Sequence, residues 1–344
     1  MQTNNPLISI IIPAHDRRAF VTNAVRSVLD QDCQREIYEV IVVKNFIDDF
    51  IDRFLNEHGI QTVFTEEKPL SKKIIAGLKV ARGSVICFLD DDDEFVKHKI
   101  SEVDKLFRDG NVIFYHNGYY PIDSGGKKIR TRERMRGTKA ESGTPEEFAA
   151  RISEFLTLRA DWYMSMISMR REVLEKYIPE LNEITASIDK FLFYISANET
   201  GKVIADSREL TRYRIHSSLT NFTEPLASFS SKKSDFYRRS SETFRKLAEL
   251  SKNRSVRKVI ECVGRHEKVL ADFHVPRGIK RKERIVDAIQ LLRCNRAVRS
   301  RAFYFWALAG LLGAFQPRIP LFFYHLIYDR ELRRIFAGGE SGDD

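Results

Sequence analysis

The stretch SVICFLDDDDEF (Ser84–Phe95) decides how the chain is interpreted, because an apolar run ends on four consecutive carboxylates. An apolar run such as Val85–Leu89 is typical of a strand that is buried on both faces. Carboxylates packed this closely repel one another unless a cation or a set of hydrogen-bond donors offsets their charge. Asp90–Asp93 therefore mark either a solvated loop or the site of a metal ion.

The chain before this stretch alternates between strand and helix patterns. Strands are predicted over 7–14, 38–46, 60–66 and 84–90, and helices over 18–31, 48–59 and 70–83. This alternation of buried strands and amphipathic helices predicts an α/β fold whose parallel strands are joined by right-handed crossovers. In open sheets of this kind, ligands bind beyond the carboxyl ends of the strands. Asp90–Asp93 therefore lie where a ligand is expected.

An extended conformation would divide the four aspartates between two sides. Asp90 and Asp92 would point one way, and Asp91 and Asp93 the other. Two carboxylates on one side suit a hard divalent cation such as Mg²⁺ or Mn²⁺, whose preferred ligands are oxygen atoms. Such an ion would bridge the phosphates of a nucleotide and neutralise a leaving diphosphate. The pattern predicts a cation site that serves a nucleotide substrate.

Length and composition place the chain among ordinary folded proteins. It has 344 residues, of which 43% are hydrophobic and 31% are charged, and these fractions exclude wholesale disorder. The four cysteines are Cys33, Cys87, Cys262 and Cys294. They form no Cys-x-x-Cys pair, which argues against a disulfide framework or structural zinc and fits a reducing compartment. The first residues carry no basic flank or cleavage site, so we interpret them as leading into the first strand.

The net charge of +9 is concentrated in the last third of the chain. Residues 1–225 contain 32 Lys and Arg against 35 Asp and Glu, whereas residues 226–344 contain 25 against 13. A change of this size predicts two units with different partners. We therefore expect a domain boundary near residue 225.

Two longer stretches together resemble one protein family. ISIIIPAHDRRAFVTNAVRSVLDQ (8–31) opens with a strand that ends in Pro-x-x-x-Arg, and GLKVARGSVICFLDDDDEF (77–95) places Gly-x-x-x-Ala-x-Gly before Phe-Leu-Asp-x-Asp-Asp. Over about residues 7–220 the chain resembles glycosyltransferase family 2. The resemblance implies the GT-A fold for residues 1–225, with a Rossmann-like, mostly parallel central sheet and flanking helices. It also implies a metal-dependent enzyme that uses a nucleotide-diphosphate sugar and inverts the anomeric centre.

The same resemblance assigns residues to the donor site. Pro13, Ala14 and His15 would line the nucleotide pocket, with Arg17 at its edge.

Within the aspartate run, the resemblance makes Asp90 and Asp92 the Asp-x-Asp pair. Asp90 would face the ribose or the metal ion, and Asp92 would be a metal ligand. Asp91 fills the variable position and counts among the donor-binding residues, and Asp93 follows it. The cofactor would be Mn²⁺ or Mg²⁺.

Two departures from the family pattern leave the choice of nucleotide open. VVKNFI (42–47) places Lys44 and Asn45 where the family usually has acids, the first of which reads the base. KIIAG (73–77) replaces the family's frequent Ala-Arg-Asn-x-Gly. Lys44 or Lys73 would meet the base or a phosphate, or both lysines are solvated residues at a strand end and on a helix.

An inverting transfer needs a carboxylate that takes the proton from the acceptor hydroxyl as it attacks. The resemblance of residues 168–201 to the family's acceptor region places this base at Asp189, with the usual partner Glu replaced by Ile188. The alternative is a structural ion pair between Asp189 and Lys190 or a nearby arginine. Glu183 is the second candidate base.

Segments around the acceptor region have further expected roles. Residues 211–220 match the family's Tyr-Arg-x-His-x-x-Ser strand, in which His216 would approach the diphosphate or the metal ion, or else form a structural hydrogen bond. Residues 112–130 are predicted to form a hairpin with its turn at Asp123–Gly126. Residues 130–147 are predicted to form a loop near the acceptor opening.

The C-terminal region, 226–344, is predicted to be basic and helical with an apolar end. Residues 277–301 contain nine Lys and Arg against two acids, and 302–315 carries no charge. As a helix, 302–315 would be roughly 21 Å long, shorter than the roughly 30 Å hydrocarbon core of a bilayer. A basic helix followed by an apolar segment (about 302–328) predicts a membrane-associating region attracted by anionic headgroups of the cytoplasmic leaflet. The alternatives are helices docked on the catalytic domain or a dimer interface, because a full span would place Arg318 in mid-bilayer.

Together these features predict a glycosyltransferase that transfers sugar to a glycan or lipid-linked acceptor at the inner face of the cell membrane, as a peripheral or monotopic protein. The product would be a polysaccharide, glycolipid or lipid-linked glycan. Nucleic acid is not an expected partner, since no binding motif appears and the aromatic residues do not alternate with the basic ones. The alternatives are an inactive protein of the same fold, given the departures at Lys44, Ile75 and Ile188, or a basic membrane- or nucleic-acid-binding protein.

Overall fold

A mixed β-sheet forms the centre of the protein. The computed structural model describes residues 8–15, 18–129, 138–215, 226–274 and 280–316. Within these ranges, nine strands form the sheet in the order β3-β2-β1-β4-β8-β6-β9-β5, and β7 pairs with β9. The strands are β1 (Ile8–Ala14), β2 (Tyr38–Lys44), β3 (Gln61–Phe64), β4 (Val85–Phe88), β5 (Glu94–Phe95), β6 (Val112–Ile122), β7 (Lys139–Ser142), β8 (Ile167–Arg170) and β9 (Lys202–Arg214).

Helices cover the sheet and make up the described part of the C-terminal region. They are α1 (Val21–Leu29), α2 (Asp49–Glu57), α3 (Leu70–Val80), α4 (Lys99–Phe107), α5 (Pro145–Thr157), α6 (Arg171–Lys176), α7 (Ile178–Leu181), α8 (Ile188–Ser196), α9 (Leu226–Leu250), α10 (Arg254–His274), α11 (Arg281–Val298) and α12 (Arg301–Phe315).

The first four strands confirm the predicted parallel βα alternation. β1 lies between β2 and β4, and Ile8 is in register with both Tyr38 and Val85. Every residue of these three strands is buried, as their continuous apolar runs require. Their carboxyl ends meet at one edge of the sheet, where His15, Asn45 and Asp90 follow them.

Close packing of α3 on the sheet depends on Gly77. A Cβ atom at this position would lie 2.8 Å from Ile11 Cγ2 and 3.1 Å from Val43 Cγ2, so only glycine allows the helix to approach β1 and β2 this closely. Lys73 lies one turn earlier on the same helical face. The close approach therefore brings the Lys73 side chain to the carboxyl ends of the strands.

One hydrophobic core extends from the sheet into the C-terminal helices. Phe148 on α5 and Phe193 on α8 belong to the same core cluster as Val259 on α10 and Leu291 on α11. The Tyr194 and Phe244 rings meet edge to face at 5.4 Å. The predicted boundary near residue 225 falls within 216–225, which lies outside the described residues, and stays a prediction. The elements on either side of it are packed together.

The end of the described chain leaves apolar side chains exposed. On α12, Leu308, Leu312 and Phe315 are 55%, 57% and 61% exposed. Among the described residues, no helix combines the length and apolar character that crossing a membrane requires. Residues 317–328 of the predicted apolar segment lie outside the described residues.

Two local predictions need correction. The turn at Asp123–Gly126 forms, with Gly126 N–H donating to Asp123 C=O at 3.0 Å, but only a single bridge, Ile122 to Lys128, follows it. The returning arm at 127–129 is held by Asp123 N–H donating to Lys127 C=O and Ile129 N–H donating to Pro121 C=O, both at 2.9 Å, and is not itself a strand within the described residues. The loop predicted over 130–147 is regular structure from Lys139 onward, first β7 and then α5, and 130–137 lies outside the described residues.

Lys99 is a buried lysine that makes stability depend on pH. It is fully buried, donates to Asn117 Oδ1 and lies 5.2 Å from the Phe95 ring centre. Burial lowers the pKa of Lys99 from 10.5 to about 8. Between these pH values the unfolded chain holds the proton that the folded chain has lost, so the stability contribution of this lysine rises with pH.

We therefore predict that Lys99→Met raises the free energy of unfolding, relative to the unmodified protein, more at neutral pH than at high pH. The difference in unfolding free energy between the two should fall by up to about 3 kcal/mol between pH 7 and pH 10.5, at 1.36 kcal/mol per pH unit. Urea unfolding across this pH range measures it. Lys105→Met, on the exposed side of α4, should give a constant difference, and a constant difference for Lys99→Met would contradict the prediction.

Candidate active site

The four aspartates form a turn, which corrects the extended arrangement predicted for them. Asp93 N–H donates to Asp90 C=O at 3.2 Å, directly after β4. The chain must bend here because β5, at Glu94–Phe95, leaves the line of β4 to pair with β9. Three of the four side chains are buried, with exposures of 2% for Asp91, 6% for Asp92 and 1% for Asp93. The solvated-loop interpretation is therefore wrong.

Each end of the turn is tied to a different part of the sheet. Asp91 Oδ2 accepts from His15 N–H at 3.0 Å, at the end of β1. Asp90 N–H donates to Ser165 Oγ at 3.0 Å, and this hydroxyl lies 3.3 Å from Asp90 Oδ2. Asp93 Oδ1 accepts from Arg214 N–H at 2.9 Å, at the end of β9. The carboxylates are thus held at the carboxyl edge of β1 and β4.

The charges of the turn fit a divalent cation. Burial, and then the neighbouring charges of Asp92 and Asp90, raise the pKa of Asp93 well above its ordinary value. Within the described ranges, no three His, Cys, Asp or Glu side chains converge on a position that would hold a metal ion alone. Mg²⁺ is commonly held by one or two carboxylates together with substrate phosphates, so Asp90 and Asp92 suit an ion that binds with the donor. His216 lies outside the described residues, and its role stays a prediction.

Arg214 is a residue of the site to which the sequence analysis gave no role. It is fully buried, and its guanidinium donates to Asp92 C=O at 2.8 Å, to Asp123 C=O at 2.9 Å and to the Glu94 carboxylate. It therefore fixes the backbone of the aspartate turn against the 123–126 turn. Its position in the Tyr-Arg-x-His motif was the available signal.

Lys73 joins the residues predicted to bind the nucleotide. Its Nζ lies 2.5 Å from Ala14 C=O, 2.9 Å from Asn45 Oδ1 and 3.1 Å from His15 Nδ1. Lys73 is 1% exposed, so the solvated alternative is wrong for it. Pro13 is a buried residue of β1, one position before this cluster, and Arg17 lies outside the described residues.

Lys44 is also buried, at 3% exposure, so the solvated alternative is wrong for both lysines. Its Nζ donates to Phe46 C=O at 2.6 Å and pairs with Asp52 at 2.8 Å. These contacts hold the connection between β2 and α2. They do not bring the ammonium into the cluster around Lys73, and a role for Lys44 in donor binding stays a prediction.

Asp189 lies in the first turn of α8 and is half-buried. Its Oδ2 accepts from Tyr163 N–H at 3.0 Å, and its Oδ1 accepts from Lys190 N–H at 2.9 Å. Burial raises the pKa of Asp189, against the lowering influence of the Lys190 ammonium. A carboxylate with a raised pKa is a stronger proton acceptor, as a general base requires. The Lys190 ammonium pairs with Glu267 at 2.6 Å, and among the described residues no ion pair joins Asp189 to Lys190 or to an arginine, so that alternative is wrong.

The segment Tyr163–Ser165 connects this carboxylate to the aspartate turn. Tyr163 donates to Asp189, and two residues later Ser165 contacts Asp90. Tyr163 has φ 61° and ψ 104°, a conformation that costs a non-glycine residue on the order of 1–3 kcal/mol. Backbone strain of this kind often occurs at functional sites. No sequence signal marked Ser165, because a small polar residue has many possible roles.

The remaining candidates lie outside this arrangement. Glu183 pairs with Lys246 at 2.6 Å, and the hydrogen bond from that lysine lowers the pKa of Glu183, which makes it a weaker base than Asp189. Ile75 and Ile188, where the sequence departs from the family pattern, are both buried in the core cluster. Their apolar side chains serve packing.

Comparison with known proteins identifies the family. The sequence profile of Glycosyl transferase family 2 matches residues 9–178. Residues 9–178 belong to glycosyltransferase family 2. The predicted resemblance is therefore confirmed, and the matched range contains the aspartate turn, Lys73 and the segment Tyr163–Ser165.

Curated relatives carry glycosyltransferase names. An uncharacterised glycosyltransferase of Rickettsia bellii is 28% identical over 223 residues, which cover 63% of this chain and 30% of that protein. The putative teichuronic acid biosynthesis glycosyltransferase TuaG of Bacillus subtilis is 30% identical over 132 residues, 36% of this chain and 51% of TuaG. The chain thus spans less than two thirds of the length of each of these relatives.

Solved structures show the GT-A fold predicted for the catalytic domain. S. aureus TarS 1–349, in complex with UDP-GlcNAc, has a TM-score of 0.57 and 14% identity, covering 90% of this chain and 89% of that one. The mannosyltransferase PcManGT from Pyrobaculum calidifontis, in complex with GDP-Man and Mn²⁺, has a TM-score of 0.50 and 15% identity, covering 91% and 86%. These likenesses establish the fold of the family 2 domain with its mixed sheet and C-terminal helices.

Proposed function

We propose that this protein transfers a sugar from a nucleotide-diphosphate sugar to an acceptor hydroxyl with inversion. The observation that carries the proposal is the segment Tyr163–Ser165, which contacts Asp189 at one end and Asp90 at the other. It holds a base of raised pKa next to the aspartate turn suited to a diphosphate and its cation. Membership of glycosyltransferase family 2 supports the same reaction.

In this mechanism Asp189 acts on the acceptor. Its carboxylate takes the hydroxyl proton as the acceptor oxygen forms a bond to the anomeric carbon. The bond between that carbon and the diphosphate oxygen breaks on the opposite face, so the configuration inverts. The hydrogen bonds from Tyr163 N–H and Lys190 N–H fix the orientation of the carboxylate during this step.

Asp90 and Asp92 would hold Mn²⁺ or Mg²⁺ together with the donor diphosphate. When bound, the ion neutralises the charge that develops on the leaving diphosphate. Arg214 N–H donates to the Asp93 carboxylate and the Ser165 hydroxyl to the Asp90 carboxylate, and these bonds keep the side chains of the turn in place. The description of PcManGT with GDP-Man and Mn²⁺ supports a divalent ion in this fold.

The donor pocket is proposed at Lys73, His15 and Ala14. A buried ammonium at the carboxyl edge of the sheet attracts a phosphate through its charge, and its hydrogen bonds to Ala14, Asn45 and His15 hold these residues around the pocket. TarS is described with UDP-GlcNAc and PcManGT with GDP-Man, so uridine and guanosine donors are both candidates.

A thermal-shift screen tests donor binding. The screen uses UDP-, GDP- and dTDP-sugars, each with and without Mn²⁺. At least one of them should raise the melting temperature, because a ligand selective for the native state stabilises that state. Lys73→Met should weaken binding of that donor by about 10-fold or more, from about 1.5 kcal/mol. Lys79→Met, on the exposed face of α3, should not. Donor hydrolysis would distinguish an enzyme from an inactive protein that only binds nucleotide, and binding of none would contradict the proposed function.

We further propose that α12 lies on an anionic membrane surface at the cytoplasmic face, where the acceptor would be a glycan or a lipid-linked glycan. The exposed side chains of Leu308, Leu312 and Phe315 form an apolar face, and Arg281 lies 3.8 Å from the Phe315 ring centre. Exposed basic residues at the starts of α11 and α12 complement anionic headgroups; they are Lys280, Arg281, Lys282 and Arg301. The name of TuaG supports a polysaccharide product.

Sedimentation with liposomes tests this surface. The full-length chain should pellet with vesicles of phosphatidylserine and phosphatidylcholine and be partly released by salt, since basic residues contribute about 1 kcal/mol each. A triple variant should bind the vesicles about 100-fold more weakly, since each replaced side chain removes about 1 kcal/mol of binding free energy. It combines Leu308→Gln, Leu312→Gln and Phe315→Gln. The same change at the exposed residues Ile47, Phe50 and Phe64 is the control. If the unmodified chain ignores the vesicles at low salt, the lipid-linked acceptor loses its support.

A further inference from the structure

A buried ion pair connects the C-terminal helices to the proposed base. Lys190, directly after Asp189, pairs with Glu267 on α10 at 2.6 Å. Glu267 is fully buried, and its Oε2 has no hydrogen-bond partner within the described residues. A buried carboxylate that is paired through only one oxygen carries a desolvation cost, which its ion pair must offset. Its partner here adjoins the residue that would perform the chemistry.

Three other charged or titratable groups face the pair. Asp161 is 3% exposed, and its Oδ1 has no hydrogen-bond partner among the described residues. Asp189 lies on the same helix turn as Lys190. His266 Nδ1 lies 3.7 Å from Glu267 Oε1, and its ring stacks on Phe303 of α12 at 4.2 Å. One ammonium is therefore surrounded by three carboxylates.

The structure shows which carboxylate the ammonium pairs with. Within the described residues, the ion pair of Lys190 is with Glu267, and none joins it to Asp189 or Asp161. An ammonium within about 4–6 Å of a carboxylate lowers the carboxyl pKa by about 1–3 pH units and so weakens it as a base. The ion pair with Glu267 leaves the Lys190 ammonium outside ion-pair distance of Asp189, where its charge lowers the pKa of that carboxylate less than a direct pair would.

We propose that Glu267 is a positioning residue for catalysis, which holds the Lys190 ammonium away from Asp189 and so preserves the basicity of that carboxylate. The proposal rests on the assignment of Asp189 as the base. It makes α10, which lies beyond the range matched by the family profile, a functional part of the active site.

The charge states of the group agree with this role. Burial alone would raise the pKa of Glu267, but the Lys190 ammonium and the neighbouring His266 together more than offset it and lower that pKa to about 2. Burial alone would lower the pKa of Lys190, and Glu267 raises it instead. Burial raises the pKa of Asp161 to about 6. At neutral pH the charged pair is therefore Lys190 with Glu267.

The test is a direct titration of Asp189 in the ligand-free, full-length protein. In NMR spectra, aspartate labelled with ¹³C at the side-chain carboxyl carbon gives one signal per residue. The signal that is missing in Asp189→Asn is that of Asp189. In Glu267→Gln the ammonium turns to the remaining carboxylates, so the midpoint of Asp189 should fall by about one pH unit or more. In Lys190→Met it should rise, because Glu267 then repels the charged form of Asp189. The double variant should return close to the unmodified value.

Opposite shifts of the Asp189 midpoint in the two single variants distinguish a positioning role of Glu267 from a purely structural one. A structural role would change stability without moving the midpoint in opposite directions. If a single variant does not fold, the double variant and Glu267→Asp replace it. Glu267→Asp keeps the charge but shortens the side chain, so it should lower the Asp189 midpoint by less than Glu267→Gln does. Glu261→Gln, an exposed position on α10, is the matched control. An unchanged midpoint in Glu267→Gln, or in Glu267→Asp when it stands in, overturns the proposal.

The result is independent of the proposed function, since the titration needs no substrate. If Asp189→Asn retains full transfer activity, Asp189 is not the base, whatever the midpoints do. If Asp189→Asn is inactive but Glu267→Gln leaves the midpoint unchanged, only the role of Glu267 fails.

Discussion

Replacing Asp189 by asparagine is expected to lower the rate of sugar transfer by about 10²–10⁴-fold, the usual contribution of a positioned general base. Asparagine has nearly the same shape and can still accept the Tyr163 N–H bond through its carbonyl oxygen. It cannot take a proton from the acceptor. Donor affinity should change little, because the base contacts the acceptor, and single-turnover kinetics with saturating donor would isolate the chemical step.

The matched control for this variant is Glu183→Gln, at the second candidate base. Glu183 pairs with Lys246 on α9, and its loss should leave the rate nearly unchanged. A loss of donor binding, or of cooperative unfolding, in Asp189→Asn would show that the carboxylate is structural. A large rate loss in Glu183→Gln with little change in Asp189→Asn would reverse the assignment.

Asp92→Ala is expected to abolish transfer that depends on Mn²⁺ or Mg²⁺ without unfolding the protein. Removing one of two ion ligands eliminates the binding of the cation with the diphosphate. Without ligand, the variant should be at least as stable as the unmodified protein, because the repulsion that Asp92 exerts on Asp93 disappears. Calorimetric titration of the donor with Mn²⁺, together with thermal melting in chelator, measures both effects.

Asp235→Ala is the control for this variant, because Asp235 is an exposed acid that pairs with Arg239 on α9. It should keep activity and the response to metal. Full activity in Asp92→Ala would refute the role of Asp92 as a metal ligand.

The strands and helices of the first hundred residues were predictable because their apolar periodicity reflects burial directly. The strands Ile8–Ala14 and Tyr38–Lys44 are buried throughout and had to lie inside a layered sheet. The position of Asp90–Asp93 at the carboxyl edge followed from that topology. This part of the site needs only the order of strands along the chain.

The detailed contacts were not predictable because they join residues far apart in sequence. Whether Lys73 is solvated or buried depends on how closely Gly77 lets α3 approach the sheet, which no local pattern shows. The partner of Lys190 is on α10, and local sequence pointed to Asp189 instead. The bend at the aspartates follows from the pairing of β5 with β9, a contact between distant segments.

The pairing of Lys190 with Glu267 has a consequence for synthesis of the protein on the ribosome. Translation proceeds at about 5–20 residues per second, so the residues of the aspartate turn and Asp189 emerge several seconds before α10 does. During that interval Lys190 has no Glu267, and the core faces that α10 and α11 cover are still open. If Asp189 is the base, a nascent chain is therefore expected to transfer sugar more slowly until α10 docks, because the Lys190 ammonium then lowers the pKa of Asp189 further.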